Sequence, residues 1–500
     1  MVTPSSIQLF FDSLQENRIK TDESEACKRQ LSKASFSTKG QVLGLIEIDT
    51  VEQISLVLRL AQKHCIPIYP ISGGKNWGYG SCVPPNTAAV VLSLSGLNRI
   101  CEFDSENGVL TLEAGVNFKQ VQELLFQEQT LWQLNAPGST VEASVVGNTI
   151  SRGLIQGPKL ERWKNVISLE VVLPSGEIIS TDETTSKASN RSVGFGPDLM
   201  PLFFQSNLGI VSKMKLQLDR KPACWQHLHL TWKESDTSLG EMCNILHKMK
   251  LNALFAGSIS VHNAEKILTV LDQYPWALAK GETPLPKELK ESLLAQIEGG
   301  DWFMETAISA PNLAILQAYQ ASINEIFKAH SVQLHWAEAN QDGPIFHQFT
   351  QTAAEQVYWR KKEEAPSLVQ PEKDDCGVLW YSPVIPWNDK ELETCSKAVN
   401  ECMLHFGFEP LLTFQFAESN YGYAIISILY DRAFDGEDQR ALEAFHQLKT
   451  TLTKEGYLPY RLGINEQAEL QIKTGVLAQL KKQLDPNNIL APDHYIRIQP

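Results

Sequence analysis

Four glycines lie in one short loop, directly after a segment (Ile66–Ile71) that is typical of a buried strand. The loop reads ISGGKNWGYGS over residues 71–81, with glycine at 73, 74, 78 and 80. Glycine allows the backbone to turn tightly and to present several N–H groups to one anion. Because Lys75 and Asn76 interrupt the spacing, it matches neither the Rossmann fingerprint nor the Walker A motif. The loop therefore predicts a phosphate-binding turn of another kind, and a plain glycine-rich surface turn is the alternative.

Two further segments have a similar composition. Small residues dominate PGSTVEASVVGNTISRG at 137–153, where Ser139 and Thr140 are predicted to cap a short helix whose N-terminus faces a pyrophosphate. The segment LFFQSNLGIVSKM at 202–214 ends in a predicted strand. Glycine-rich turns that converge from separate strands favour a large dinucleotide held mainly by backbone groups.

Composition excludes several classes of function. The 500 residues include 44 Lys and Arg against 58 Asp and Glu, for a net charge of −14. This balance argues against a nucleic-acid partner and against an anionic membrane surface. The N-terminus has no secretory pattern, and no stretch approaches the ~18 apolar residues of a membrane span. We therefore expect a cytoplasmic protein.

Neither cysteines nor histidines predict a metal site. The nine cysteines are scattered singly, without a Cys-x-x-Cys pair, so neither a disulfide framework nor a zinc site is indicated. His227 and His229 alternate in QHLHL, which puts both on one strand face, but no convergent carboxylate is evident. A solvent-facing strand edge is the favoured interpretation of this pair.

Both helices and strands are predicted in each half of the chain. Thr50 and Gln53 form a capping box before a helix, and Asn107-Gly108 predicts a hairpin turn. Asn117 is expected to cap the next helix, and Gly209 to Leu218 to form a closing strand. Near Lys221-Pro222 the segments become longer and more amphipathic, which suits an α+β sheet covered by helices.

Several motifs together resemble one flavoprotein family. They are PISGGKNWGYGSCVPP, PGS…GNTISRG, QSNLGIVSKM, Tyr460-Arg461 and the C-terminal LDPNNILAP. In this order, from about residue 40 to 495, they resemble the vanillyl-alcohol oxidase / para-cresol methylhydroxylase (PCMH) family.

The resemblance implies an α+β fold made of two domains. A two-subdomain PCMH-type FAD-binding domain would be joined by an α+β cap domain whose antiparallel sheet is covered by helices. The expected divisions are an N-terminal helical segment (1–37), the FAD-binding domain (38–220), the cap or substrate domain (221–460) and a C-terminal segment that returns to the FAD domain (461–500).

The resemblance also implies which residues contact FAD. The loop after the predicted strand would wrap the pyrophosphate, and the two later glycine-rich segments would add further contacts. The expected cofactor-binding residues are Ser72, Gly73, Gly74, Lys75, Asn76, Pro137, Gly138, Ser139, Gly147, Asn148, Gly209, Ile210 and Val211.

Tyr79, Tyr460 and Arg461 match the trio with which the family binds a phenolate. Two phenol hydroxyls and a guanidinium that converge on one oxygen would stabilise it as an anion. An ionised para-substituted phenol can then release hydride from its benzylic carbon to flavin N5. A satisfied loop tyrosine is the alternative for Tyr79, and a surface ion pair is the alternative for Arg461.

Glu161 stands where the family carries an acidic residue near N5. There it would act as a general base or modulate the redox behaviour of the flavin. An exposed helix glutamate flanked by Lys159 and Arg162 is the competing interpretation.

Three departures from the family pattern bear on the cofactor and the substrate. The tract before Glu161 reads LIQGPKL, and Tyr423-Ala424 stand where a histidine pair is expected. Val378 occupies the position that often carries a flavin-linked histidine. We therefore expect non-covalent FAD, with an O-tyrosyl link through Tyr381 as the alternative.

The leading hypothesis is an FAD-dependent oxidoreductase that acts on a phenolic or other aromatic small molecule. One alternative is an oxidase, desaturase or oxidative cyclase of a biosynthetic intermediate that is not a simple phenol. Another is a flavin-binding relic without activity. Dioxygen or a redox partner would accept the electrons, and a homodimer is the possible assembly.

Overall fold

Two compact units make up this protein in the computed structural model. The structure describes residues 3–85, 87–155, 160–182, 190, 196–255, 257–271, 273–295, 300–337, 355–466, 472 and 474–498. The first unit comprises Met1–Leu154, Glu161–Lys221 and Arg461–Pro500; the second comprises Ile155–Leu160 and Pro222–Tyr460. The fold is α+β, as the sequence predicts.

Two main sheets form the frame of the first unit. One has the order β1-β2-β4-β3, in which β2 and β3 both run parallel to β4. The other is antiparallel, in the order β5-β6-β10-β8-β9, and a short pair joins β7 to β11. The strands are β1 Lys20–Asp22, β2 Gln41–Glu47, β3 Ile68–Ile71, β4 Ala88–Ser93, β5 Ile100–Asp104, β6 Val109–Glu113, β7 Trp132–Gln133, β8 Val166–Val172, β9 Ile178–Ser180, β10 Ile210–Gln217 and β11 Asp219–Arg220.

Helices of the first unit, numbered along the whole chain, pack on these sheets. They are α1 Pro4–Glu16, α2 Glu25–Leu31, α3 Val51–His64, α4 Phe118–Gln127, α5 Val145–Ile150 and, near the C-terminus, α12 Gly475–Leu484, with 3₁₀ helices at Arg162–Asn165 and Met200–Phe203. The Thr50 capping box and the Asn117 cap are both formed, which confirms those two predictions.

Most of the second unit is one antiparallel sheet with helices. The strands run in the order β15-β12-β14-β13-β18-β19-β16, and β17 pairs with β19. They are β12 Cys224–Trp232, β13 Ile259–Asn263, β14 Trp302–Ala310, β15 Val332–Trp336, β16 Cys376–Tyr381, β17 Val384–Pro386, β18 Leu411–Phe416 and β19 Tyr421–Asp431. The helices are α6 Leu239–Leu251, α7 Ala264–Leu271, α8 Lys287–Ala295, α9 Leu313–Phe327, α10 Asp389–His405 and α11 Glu437–Lys454, with a 3₁₀ helix at Gln356–Tyr358.

One face of this large sheet is apolar and is covered by helices. Leu230, Met304, Val261 and Phe414 lie opposite one another on successive strands, and all four are buried. Phe445 of α11 packs edge-on against a tyrosine of β16 on the same side. Helix α9 also lies on this helix-covered face, where a glutamine of α9 donates a hydrogen bond to a glutamine side chain of β12.

A buried ion pair fixes the C-terminal segment within the first unit. Lys481 and Asp485 are both 0 % exposed, with Nζ 2.7 Å from Oδ2. Lys481 Nζ also donates to the backbone carbonyls of Asn207 and Leu490. Asp485 accepts from the backbone N–H groups of Ile489 and Leu490, so the charges are both paired and hydrogen-bonded.

Lys481→Met should therefore lower the free energy of unfolding by about 3–5 kcal/mol, because it leaves the Asp485 charge buried without its partner. Urea denaturation of the purified protein measures this loss. Lys482→Met, at the exposed neighbouring position, is the matched control and should change little. Equal midpoints for the two variants would contradict a stabilising role for the pair.

Candidate functional site

The glycine loop after β3 depends on backbone conformations that favour glycine. Gly74, Gly78 and Gly80 have φ of 65°, 74° and 126°. The backbone N–H groups of Tyr79 and Ser81 both donate to the carbonyl of Asn76, each at 3.1 Å. The loop is therefore a compact turn with its own internal hydrogen bonds.

This loop lies so close to the beginning of α5 that two of the glycines leave no room for a side chain. A Cβ built on Gly147 would lie 3.3 Å from Cβ of Ser72, and one on Gly73 would lie 3.4 Å from the backbone N of Ser144. Any side chain at these two glycines would press on the opposite segment. The two glycine-rich stretches of the sequence thus form one cradle.

The predicted cap of α5 is wrong. Ser144, rather than Ser139 or Thr140, is the N-cap, because only the residue directly before the first turn can reach its free N–H groups. Ser144 Oγ accepts from Gly147 N at 2.9 Å and donates to the carbonyl of Ala114 at 2.6 Å. Thr140 instead accepts a hydrogen bond from Glu142 N within the preceding turn.

A cavity of the first unit opens along this cradle. Of the residues predicted to bind FAD, all but Pro137 and Gly138 line it. The lining members are Ser72, Gly73, Gly74, Lys75, Asn76, Ser139, Gly147, Asn148, Gly209, Ile210 and Val211.

Residues that the sequence analysis did not select also line the cavity. They come from the QSN motif and from the C-terminal segment, both of which carried the family resemblance: Gln205, Ser206, Asn207, Leu490, Ala491, His494 and Tyr495. Asn207 Nδ2 donates to the carbonyls of Ala491 and Ile496. Within the described residues its Oδ1 has no hydrogen-bond partner.

Few charged side chains line the cavity. Lys75 and Arg461 do so, whereas burial and the nearby charges of Arg461 and Lys481 lower the pKa of His494 to about 4, so that it is neutral at pH 7. A cradle of main-chain amides, small residues and two cations fits a diphosphate. These donors fit the phosphates of FAD.

A buried arginine supports one wall of the site. Arg162 is 2 % exposed, and its guanidinium contacts the carbonyl of Asn135 and lies 3.3 Å from Asn148 Oδ1. Its carbon Cζ also stacks over the ring of Phe118, at 4.6 Å from the centroid. Burial lowers the pKa of Arg162 to about 9. The sequence analysis treated Arg162 only as a neighbour of Glu161, so this role was missed.

Tyr79 and Arg461 are brought together within the first unit. The Arg461 guanidinium carbon lies 4.1 Å from the centre of the Tyr79 ring, and Nη2 donates to Asn76 Oδ1 at 2.7 Å. The backbone N–H of Ile464 donates to the carbonyl of Tyr79. The loop and the C-terminal segment thus position a guanidinium and a phenol next to each other.

Tyr460, the chain neighbour of Arg461, belongs to the second unit and does not line the cavity. Its backbone N–H donates to Ser382 O at 3.1 Å. Its ring packs edge-on against Tyr423, with 5.1 Å between centroids. Tyr423 is one of the two residues that replace the expected histidine pair.

Glu161 is buried rather than exposed, so that part of its competing interpretation is wrong. It precedes the 3₁₀ helix Arg162–Asn165 and forms an ion pair with Lys164 of that helix. It does not line the cavity. Lys159, its other expected neighbour, lies outside the described residues.

The two positions considered for a covalent flavin link lie on β16. Val378 is fully buried and has no nucleophilic atom. Tyr381 is also buried; its hydroxyl lies 3.3 Å from Thr453 Oγ1 and from the carbonyl of Tyr457, and its ring packs on Phe445. Tyr381 therefore faces helix α11.

Neither a metal centre nor a membrane span is found in the described residues. No group of three or more His, Cys, Asp or Glu side chains there is arranged to hold a metal ion. The described helices are all too short or too polar to cross a bilayer.

Known proteins resemble this chain over most of its length. Residues 42–182 match the model of an FAD binding domain. A relative named 1'-carboxy-chondrochloren decarboxylase, from Chondromyces crocatus, is 32% identical over 98% of this chain and 96% of its own length. The 4-cresol dehydrogenase [hydroxylating] flavoprotein subunit of Pseudomonas putida is 26% identical, over 89% of this chain and 85% of its own.

Two solved structures share the fold. p-Cresol methylhydroxylase with bound substrate superposes with a TM-score of 0.86 at 23% identity, covering 99% of this chain and 98% of that one. A 4-ethylphenol oxidase from Gulosibacter chungangensis, in an isoeugenol complex, gives 0.87 at 20% identity over the same shares.

These findings define the class of protein as an FAD-linked oxidoreductase. The chain belongs to the vanillyl-alcohol oxidase / PCMH-type flavoprotein family, and FAD is its cofactor. The alternative of a non-catalytic relic is not retained.

Gly147→Val should weaken FAD binding about tenfold or more, because its γ-methyl groups would occupy the cradle between Ser72 and Ser144. Titration of the apoprotein with FAD, followed by flavin fluorescence, measures the change. Gly147→Ala, which adds only the Cβ, should give a smaller effect. Unchanged affinity in the valine variant, at an unchanged melting temperature of the apoprotein, would exclude the cradle as the cofactor site.

Proposed function

We propose that this protein oxidises a para-substituted phenol in an FAD-dependent reaction. The observation that carries the proposal is the Arg461 guanidinium, which stacks on the Tyr79 ring, is oriented by Asn76 and lines the cofactor cavity. A guanidinium in a partly enclosed site is suited to an oxyanion. Tyr460 directly precedes Arg461 in the chain and would supply a second hydroxyl donor.

Ionisation of the substrate is the step that these residues would promote. Arg461, with the hydroxyls of Tyr79 and Tyr460, would stabilise the phenolate relative to the phenol and so lower the pKa of the substrate hydroxyl. Loss of that proton and of a hydride from the benzylic carbon removes two electrons and leaves a quinone methide. Bound FAD supplies the two-electron acceptor.

The remaining residues of the site would hold the cofactor. We assign the diphosphate to the backbone of Ser72 to Asn76 and to the beginning of α5, and further contacts to Gly209, Ile210 and Val211. Arg162 would act indirectly, because it orients Asn148. Glu161, which is buried and paired with Lys164, would act as a positioning residue for this segment rather than as a base.

A second candidate reaction is an oxidative decarboxylation. It is favoured by the 32% identical relative that spans nearly the whole chain and is named as a decarboxylase. If the carbon next to the benzylic position carries a carboxylate, loss of CO₂ from the quinone methide restores the phenolate and leaves an alkene. Atoms and electrons balance with the same two-electron acceptor, so the same site serves both reactions.

Tyr460→Phe should slow reduction of the flavin by phenols about 100-fold, because it removes one donor to the oxyanion. FAD should stay bound, since Tyr460 does not line the cavity. Anaerobic mixing of the holoprotein with para-alkylphenols, beginning with 4-ethylphenol, measures bleaching of the flavin. Tyr319→Phe on α9 is the matched control and should leave the rate unchanged. An unaltered rate in the Tyr460 variant would eliminate the phenolate site.

We also propose that FAD is held without a covalent bond, because Val378 cannot form one and the hydroxyl of Tyr381 faces α11. Acid precipitation or denaturation in guanidinium should release all the yellow colour into the supernatant. An absorption spectrum of the washed polypeptide checks this. Colour that stays with the polypeptide in the wild type and is lost in Tyr381→Phe would instead establish the O-tyrosyl link.

A further inference from the structure

The face of the second unit's sheet opposite the helix-covered face carries an unbroken row of polar residues. Six of them lie directly opposite one another on six neighbouring strands, β15-β12-β14-β13-β18-β19. We call these six the polar row: His335, His229, Glu305, Ser260, Gln415 and Tyr423. On four of these strands, β12, β14, β13 and β18, the residue next to the row is one of the apolar residues described above, on the helix-covered face.

Glu305 is the charged member of the polar row. Its carboxylate Oε1 lies 3.4 Å from His262 Nε2, and His262 Nδ1 lies 2.9 Å from Thr413 Oγ1. This geometry suits a Thr413 hydroxyl that donates to Nδ1 and an imidazole N–H that donates to Glu305. His229 is directly opposite Glu305 on β12. The carboxylate is thus held by one hydrogen bond, from His262, and has His229 as its cross-strand neighbour.

Glu305 is ionised at neutral pH. Burial opposes ionisation of Glu305, but the hydrogen bond and charge of His262, together with His229 and His227, hold its pKa below the ordinary value. Burial lowers the pKa of His229, which is therefore uncharged at pH 7. A partly enclosed carboxylate of this kind attracts a hydrogen-bond donor and repels an anion.

The Glu305 carboxylate can accept further hydrogen bonds. A carboxylate offers about four lone-pair sites, and within the described residues it accepts one hydrogen bond, from His262. Its side chain remains 25% exposed. A ligand with N–H or O–H donors is the chemistry that fits such an acceptor.

The polar row leads from this carboxylate to the ring that contacts Tyr460. Tyr423, at the other end, packs on Tyr460 at 5.1 Å. Glu305 lies three strands away from Tyr423, which corresponds to roughly 14 Å at the usual spacing between strands. Between them, Gln415 and Ser260 are buried polar residues that continue the row.

We propose that the polar row binds an elongated substrate, a phenol whose para substituent ends in a hydrogen-bond donor that Glu305 accepts. This inference rests on the proposed phenol oxidation and extends it, because it names Glu305 as a second group that recognises the substrate and gives its distance from Tyr423. The para substituent of the substrate ends in an N–H or O–H group, which an amine or an alcohol could supply. Glu305 would then determine specificity, and it would take no part in the oxidation.

The test compares three para-alkylphenols whose chains are long enough to cover that distance and end in a hydroxyl, an ammonium or a methyl group. Anaerobic flavin reduction gives the dissociation constant and the limiting rate for each. In the wild type the donor-ended phenols should bind about tenfold more tightly than the methyl-ended one. A preference for the ammonium identifies a charged donor, and a preference for the hydroxyl identifies a neutral one.

Glu305→Gln should abolish this preference through the dissociation constant, with the limiting rate and the constants for 4-ethylphenol unchanged. His229→Gln, which keeps Glu305, should reduce the preference partially. Glu401→Gln on α10, whose side chain is 69% exposed, is the matched control and should behave as the wild type. FAD content of each variant reports folding.

The outcomes separate this inference from the proposed function. Flavin reduction by phenols without any donor preference in the wild type, or a preference retained in Glu305→Gln, overturns the inference and leaves phenol oxidation standing. If no phenol reduces the flavin, the proposed function is wrong and the inference fails with it.

Discussion

The close approach of the Gly80 backbone to Ile464 is the constraint on which the candidate site depends. A Cβ at Gly80 would lie 2.7 Å from Ile464, so a side chain there would push the C-terminal segment away. That segment carries Arg461, which must reach Asn76 and the Tyr79 ring. Its later part is held by the buried Lys481–Asp485 pair and by backbone hydrogen bonds between Ile68 and both Ile489 and Ala491. Residues almost 400 positions apart are thereby brought into one site.

An acidic protein can bind a dianionic diphosphate when backbone N–H groups, which carry a partial positive charge, make the contacts. The cavity is lined by small residues and by few cations. His494, which also lines it, is neutral. A net charge of −14 is therefore compatible with the cofactor. Arg461, which contacts Asn76 and the Tyr79 ring, is the cation that we connect with the phenolate.

The two faces of the second unit's sheet have different roles: one stabilises the fold, and the other carries the groups that we propose bind the substrate. Apolar residues face the helices and form the core, whereas the polar row lies on the other face. In a strand the side chains alternate, so each residue of the row is next to a core residue in sequence. A one-residue shift of register would bury Glu305 among the helices and would expose Met304, so packing and specificity are set by the same register.

Local signals in the sequence determined the elements and much of the cofactor cradle. Thr50 and Asn117 cap their helices as expected, and the glycine loop follows its strand, because these features depend on neighbours a few residues away. The cap at Ser144 was missed because the sequence analysis placed the beginning of α5 too early. The burial of Glu161 and Arg162 was missed because burial depends on segments distant in sequence. Nor could one strand show that His229, His262 and Glu305 meet: only the pairing of β12, β13 and β14 in the folded sheet brings them together.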